Sequence, residues 1–434
     1  MTLTPEAAAL EALTTPVDVG GDRHVSGAAK IVLLVSLGVV FFVLLTLYAA
    51  VLGVLLPNQI QNIDASAKTK ALGIVFAITS VFSTLATPIA GALSDRTRTR
   101  FGRRTPWIVI GATLGGASLM VVPHMGGLAG ITLFWVIATV TLNAMQPAIT
   151  TIVADRFSTA ERGLASGVVG AAMTAGVSAG TIYGGLFADR LVMAYTLLGG
   201  AIIAVSLAFV LINPERRVAL PPATPFRIGA FLKGFWVSPR EHPDFAWAFL
   251  GRFTIYMGYQ AIVTYLLYIL QDHIGLTQAK ANSTIAALSS VTFVALVISG
   301  LGSGLLSDRI GRRKPLVFAA SVIMALAVAM PLLVPTMTGM YVYAVLIGLG
   351  YGAFMSVDLA LMTEVLPKGA SSAGDTGKDL GILTTAVNVP QILSPVMAAA
   401  LLTMTHNDYP LLFIVAGVFV LAGSFFVLPI RSVR

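Results

Sequence analysis

Two arginine-rich loops limit what this chain can fold into more than any other feature. The first runs Gly91-Ala-Leu-Ser-Asp95-Arg-Thr-Arg-Thr-Arg-Phe-Gly102-Arg103-Arg104-Thr-Pro106. The second, Gly304-Leu-Leu-Ser-Asp308-Arg-Ile-Gly311-Arg312-Arg313-Lys314-Pro315, repeats it in shorter form. Each closes one long apolar run and opens another. Charge costs several kcal/mol in hydrocarbon, so a chain that confines its arginines to such gaps is built for a bilayer.

Composition agrees. Of 434 residues 56% are apolar and 11% charged, and mean hydropathy is +0.88. A soluble domain carries about 25% charged residues. The net charge of +8 does not call for nucleic acid, because the basic residues sit between apolar runs, where lipid headgroups account for them. The chain contains no cysteine, which excludes disulfides and thiolate chemistry.

A spanning helix needs about 20 apolar residues. Segments near 31–56, 71–93, 106–122, 130–152, 163–188 and 191–212 qualify, followed by 245–270, 282–306, 315–334, 339–365, 380–404 and 410–430. The expected fold class is therefore all-α, a polytopic membrane protein of twelve transmembrane helices in two six-helix pseudo-repeats. Residues 1–29 read as a cytoplasmic N-terminal tail, 30–212 as the first bundle, 213–244 as a cytoplasmic central loop and 245–434 as the second bundle. The acids Glu6, Glu11, Asp18 and Asp22 argue against a signal peptide. With both termini in the cytoplasm, most of the 27 Lys and Arg fall on the cytoplasmic side, which sets the expected orientation. No organelle signal is present, so the plasma (cytoplasmic) membrane is the expected location.

The halves align. Gly102, Arg103, Arg104 and Pro106 correspond to Gly311, Arg312, Arg313 and Pro315 at a constant offset, and the same offset sets Asp155 against Glu364. Internal six-helix repeats are how one class of transporter builds a central site.

These residues resemble the major facilitator superfamily along essentially the whole chain. Gly304 to Lys314 is similar to its loop signature. The longer first copy, Asp95 to Ile108, resembles the glycoside–pentoside–hexuronide:cation symporters and plant sucrose transporters. Gly377-Lys-Asp-Leu380-Gly381-Ile-Leu383 with Val389-Pro390-Gln391 is similar to the eleventh helix of the sucrose branch. One departure stands out: 31–56 and 71–93 hold no Asp or Glu, which argues against a sodium site of the melibiose type. Coupling, with a proton as the expected ion, must use other residues.

Three layers of residues could carry the work. Asp95 and Asp308 end helices just before arginine pairs, and the repeat sets Asp155 and Glu364 to meet those arginines. A gating latch of Asp95, Arg103, Arg104, Asp155, Asp308, Arg312, Arg313 and Glu364 is expected, with positive-inside topology as the plainer account. Second, Arg252 lies roughly 12 Å into the seventh helix and Asp358 roughly 13 Å into the tenth, measured from the same side. The resemblance places both helices on a central cavity. Equal depth suggests a coupling pair, or else a purely structural bridge.

Third, Tyr256, Tyr259, Gln260 and Thr264 follow Arg252 on one helix face. With Tyr48, Asn58 and Gln59 from the first helix, Asn143 and Gln146 from the fourth, and Tyr351 and Ser356 from the tenth, they form the expected substrate-binding set. Amides and tyrosines suit an uncharged polyhydroxylated solute. The alternative for each is a role tying helices together.

The fifth helix pulls the other way. Gly167, Gly176, Gly180, Gly184 and Gly185 keep the spacing of the facilitator antiporter motif, with Thr181 where that motif has proline. Close helix packing explains the glycines equally well.

Enzyme motifs are absent. There is no phosphate-binding loop, Gly176-Val-Ser178-Ala-Gly180 falls inside an apolar helix, and the five histidines lack metal-ligand spacing. The chain is thus expected to be a secondary active transporter rather than an enzyme, with no cofactor and no metal. Its expected partners are the bilayer, a small solute and a coupling ion, and a monomer is its expected state. Alternating access with proton-coupled symport of a sugar or glycoside is the first reading. Proton-coupled efflux of drugs or metabolites is the alternative.

Overall fold

The computed structural model describes residues 25–158, 161–215, 240, 242–310, 313–365 and 376–430. Twelve long helices occupy them. They are α1 (Gly27–Ile63), α2 (Lys68–Arg96), α3 (Thr105–Val121), α4 (Leu128–Arg156), α5 (Arg162–Phe187) and α6 (Leu191–Ile212). The second set is α7 (Pro243–His273), α8 (Gln278–Ile310), α9 (Lys314–Leu333), α10 (Met337–Val365), α11 (Thr376–Met404) and α12 (Tyr409–Phe426). Among the described residues there is no strand, only an isolated bridge between Thr99 and Gly102.

Among the described residues ten stretches are long and apolar enough to cross a membrane. That figure treats Arg162–Ile212 as one run, although a turn at Ala188–Arg190 divides it into α5 and α6. It also leaves out α11, where only Val389–Met404 forms a shorter apolar stretch. The helices overrun most of the apolar segments by a few residues, because a helix continues into the polar interface after hydrocarbon ends. Proline opens α3, α7, α9 and α12, at the position where its missing N–H costs nothing.

The outer faces identify the solvent. On α8, Val294, Ile298, Leu301 and Leu305 are 57–68% exposed at spacings of three and four, a stripe that no water-soluble surface would carry at this length. α7 is its opposite, with 72% of its apolar window enclosed. This most enclosed helix carries Arg252 and four of the eleven tyrosines.

Helices α1–α6 pack among themselves, as do α7–α12. The two halves meet along α2 with α11 and α5 with α8, and at the α1–α7 contact. Close approach needs small residues. A Cβ added at Gly180 of α5 would lie 2.3 Å from the Thr46 carbonyl of α1, so only glycine lets these two backbones touch. In the other half Gly352 of α10 approaches the Leu296 carbonyl of α8 in the same way, with a hypothetical Cβ at 2.4 Å. Gly176, Gly180, Gly184 and Gly185 of α5 therefore have a packing role, whereas a Cβ at Gly167 would meet nothing within 4 Å.

Two helices are interrupted. A π-helical turn occupies Val51–Leu55 in α1, and another occupies Ile269–His273 at the end of α7. Each inserts one residue into the helical register and rotates everything beyond it by about 100°.

Candidate functional site

The arginine loop of the first half is organised by two carboxylates. Arg103 Nη2 lies 2.9 Å and Arg104 Nε 3.4 Å from Asp155 Oδ2 at the end of α4. Arg104 also donates to Ser94 Oγ at 3.1 Å, and the Trp107 indole N–H donates to Thr97 Oγ1 at 2.8 Å. Both arginines belong to the α2–α3 loop and Asp155 to α4, so these pairs brace one half internally and do not join the two halves. The side chains of Asp95, Asp308 and Glu364, and the whole of Arg312, lie outside the described residues. Arg313 is half-buried at the start of α9.

Sequence reasoning missed the second carboxylate. Glu215, just beyond α6, accepts from the backbone N–H groups of Arg103 and Arg104, both at 2.8 Å, and of Thr105 at 3.1 Å. Thr105 Oγ1 adds a fourth bond at 3.3 Å. A carboxylate at the N-terminus of α3 satisfies orphan donors and complements the helix dipole. Gly102 approaches this carboxylate at φ +105, where a side chain would be strained and would collide with Glu215. Nearby, Lys30 of α1 donates to Glu161 at 2.7 Å and Ser158 donates at 3.0 Å. Together they hold the Glu161 carboxyl below the ordinary carboxylate range, with the Lys30 bond the larger cause.

The middle of the second half holds the paired charges. Arg252 Nε lies 3.2 Å from Asp358 Oδ2, with side chains 9% and 6% exposed. The contact is an ion pair without good hydrogen-bond alignment, since neither atom makes a hydrogen bond. Around it, Tyr256 Oη lies 3.3 Å from Tyr351 Oη and 3.0 Å from Met355 Sδ. Tyr259 stacks on Tyr351 with ring centroids 4.5 Å apart and planes 8° from parallel. Gln260 donates to Thr264 at 3.3 Å. In the first half Tyr48 donates to Asn143 Oδ1 at 3.2 Å, and Gln146 stands half-buried one turn along α4.

Three expected substrate residues go elsewhere. Ser356 faces α8, 3.0 Å from where a Cβ on Gly304 would sit. Gln59 donates to the Val122 carbonyl at 2.7 Å, inside the first half. Asn58 is 1% exposed and bonds to Gln278 and Asn282 of the second half. Both lie beyond the π turn of α1, which rotates them off the face that carries Tyr48.

The described hydrogen bonds between halves lie at the end of the molecule opposite the arginine loops. There Tyr268 Oη donates to the Pro57 carbonyl at 2.9 Å and Gln61 to Gln271 Oε1 at 2.7 Å. Lys68 pairs with Asp272 at 2.7 Å, and Tyr409 donates to the other oxygen of Asp272 at 2.8 Å. Beside this clasp is a recess of about 1120 Å³ lined by Asn62, Asp189, Arg190, Thr277 and Gln278. It lies remote from the Arg252–Asp358 pair. Among the described residues no cluster could hold a metal ion.

Comparison with known proteins places these features in context. A family model described as Major Facilitator Superfamily matches residues 34–374. Multidrug resistance protein 2 of Bacillus subtilis is 28% identical over 291 residues, covering 63% of this chain and 68% of that protein. MFS transporter asaE of Aspergillus flavus is 26% identical over 277 residues, covering 62% of this chain. The match spans 58% of the fungal protein, less than two thirds of its length. Among solved structures, a mutant form of the nucleoside transporter NupG superposes with a TM-score of 0.72 at 15% identity, covering 92% of this chain and 99% of that one. A likeness at that identity speaks for the fold.

Proposed function

The chain belongs to the Major Facilitator Superfamily, and on that premise we propose that it moves a sugar or glycoside together with a proton by alternating access. Proteins of this superfamily are membrane transporters of small solutes, not enzymes. The observation that carries the finer reading is the buried Arg252–Asp358 pair set against tyrosines and amides. An ion pair at membrane depth is costly and persists where it serves a pathway or a proton relay. Protonation of Asp358 would release Arg252, and the freed guanidinium would change what the neighbouring Tyr256 and Tyr351 hydroxyls can bond.

Tyr48, Asn143 and Gln146 on one side and Tyr256, Tyr259, Gln260 and Tyr351 on the other supply donors, acceptors and ring faces. They carry no net charge, as an uncharged polyhydroxylated solute requires. The termini are assigned to the cytoplasm by the Lys and Arg distribution, the membrane is the plasma membrane and the protein acts as a monomer. The bundles are taken as 30–212 and 245–434, joined by the central loop 213–244 and preceded by the tail 1–29. With that orientation the clasp lies on the outer side. In the second half Asp308, Arg312, Arg313 and Glu364 are assigned the same bracing role that Arg103, Arg104 and Asp155 have in the first, with Asp95 completing the first set.

Efflux by proton exchange is the second reading, favoured by the similarity to Multidrug resistance protein 2 and by the glycine spacing of α5. Proteoliposomes with an imposed pH gradient separate the two when tested with labelled sugars and with fluorescent dyes. Gradient-driven sugar uptake is expected. Dye extrusion with no sugar entry under either gradient polarity would sink symport and leave efflux.

A further inference from the structure

We propose that Asn58 is a positioning residue that sets how readily the clasp end opens, and that the π turn of α1 presents it to its partners on α8. Asn58 is enclosed and uses every hydrogen-bonding position of its amide. Its Nδ2 donates to the Val54 carbonyl and to Asn282 Oδ1, both at 2.8 Å. Its Oδ1 accepts from Gln278 Nε2 at 2.7 Å and from Asn282 Nδ2 at 3.2 Å. Three of these four bonds cross from α1 to α8, and those with Asn282 form a reciprocal amide pair. Asn282 itself is 2% exposed. No other described side chain makes as many bonds between the halves.

The π turns explain why the groups meet. In α1 the turn at Val51–Leu55 directly precedes Pro57, Asn58 and Gln61. In α7 the turn at Ile269–His273 contains Gln271 and Asp272, and Tyr268 adjoins it. The extra residue in α1 turns Asn58 and Gln61 toward the other half, and the one in α7 sets Gln271 and Asp272 against Gln61 and Lys68. A π turn also loosens its helix locally, so the segment beyond it can tilt while the rest stays packed.

The chemistry suits a closure that must open repeatedly. Neutral amide bonds exchange for water at small net cost, whereas a fully buried ion pair does not. The one ion pair of the clasp, Lys68 with Asp272, sits at its rim, where the Asp272 side chain is 30% exposed. Losing Asn58 strands the buried amide of Asn282 and removes a partner from the half-buried Gln278 in the closed state only, because opening lets water reach them. The equilibrium must then move toward opening. This inference requires that the halves move relative to one another. It does not depend on which solute or ion is carried.

The absence of cysteine makes the test direct. Spin labels would be placed by Ala65→Cys beyond α1 and Lys280→Cys at the start of α8, both exposed and on opposite halves. Their distance distribution would be measured by double electron–electron resonance in lipid nanodiscs without substrate. Asn58→Ala is expected to raise the long-distance population about tenfold, in line with the loss of several cross-half hydrogen bonds. Gln278→Ala and Asn282→Ala should shift it the same way, and either serves if Asn58→Ala extracts poorly. Gln59→Ala, from the next residue of α1 but bonded within its own half, should leave the distribution unchanged. A distribution in Asn58→Ala matching the parent, or an equal shift in Gln59→Ala, would overturn the proposal.

Discussion

The two halves share a plan but place their charge differently. The described ion pairs made within the first half lie at the arginine-loop end, and Lys68 at the clasp pairs across to the second half, while the middle holds the neutral Tyr48–Asn143 bond. In the second half a buried ion pair sits in the middle, beside three tyrosines. Duplication supplies two similar bundles, and a few substitutions can then put an ion pair in the middle of one and leave the middle of the other neutral. The lesson is that repeat symmetry predicts where helices lie better than where function lies.

The strongest way to break this contrast is at the Arg252–Asp358 pair. Asp358→Asn is expected to abolish gradient-driven accumulation while equilibrative exchange persists, measured in the same vesicles with and without a pH gradient. Accumulation at the parental level would remove Asp358 from coupling. Arg252→Ala leaves an enclosed carboxylate without its partner, and thermal unfolding in detergent should register a loss of about 3–5 kcal/mol.

Packing comes next. Gly180→Val drives a side chain into the Thr46 carbonyl of α1, and Gly352→Val does the same against Leu296 of α8. Each should cost about 1–3 kcal/mol by overpacking. Equal losses in the two variants would show that here, at least, the halves remain alike.

Smaller effects belong to the arginine-loop end. Glu215→Ala exposes three backbone donors that the carboxylate satisfies, at a cost of about 1–3 kcal/mol, readable as a lowered melting temperature with solute affinity unchanged. Arg103→Ala should cost no more than about 1 kcal/mol, since its pair with Asp155 is partly solvated and screened.

The smallest effect is pH-dependent. Because Glu161 is held below the ordinary carboxylate value of about 4.3, its bond to Lys30 stabilises the fold above that pH. The contribution fades as pH falls through the lowered value. Glu161→Gln should therefore lower the melting temperature at neutral pH, and the difference from the parent should vanish in acid.

Much of this was legible in the sequence, for identifiable reasons. Helix number follows from hydrophobic length, because the bilayer fixes how many apolar residues a span needs. The Arg252–Asp358 contact was legible because two rare charges at equal depth in antiparallel helices have few other places to go. The pairing of Asp155 with Arg103 and Arg104 came from the repeat. Glu215 gave no such signal, since it bonds to backbone N–H groups about a hundred residues away, and those donors carry no side-chain signature. Asn58 and Gln59 join Tyr48 in the expected substrate set as polar residues of one helix, which says nothing of the direction each takes. The π turn alters that direction, and nothing in Val51-Leu-Gly-Val-Leu55 announces it.

The bond from the Trp107 indole to Thr97 has an optical consequence. The chain has four tryptophans. Trp135 is completely enclosed within α4, so its emission should stay constant during transport. Trp107 is half-buried where the arginine loop enters α3, and its indole N–H is tied to that loop. Any rearrangement of the loop that wets or releases this indole should redden its fluorescence, giving the brace a built-in dye that needs no label.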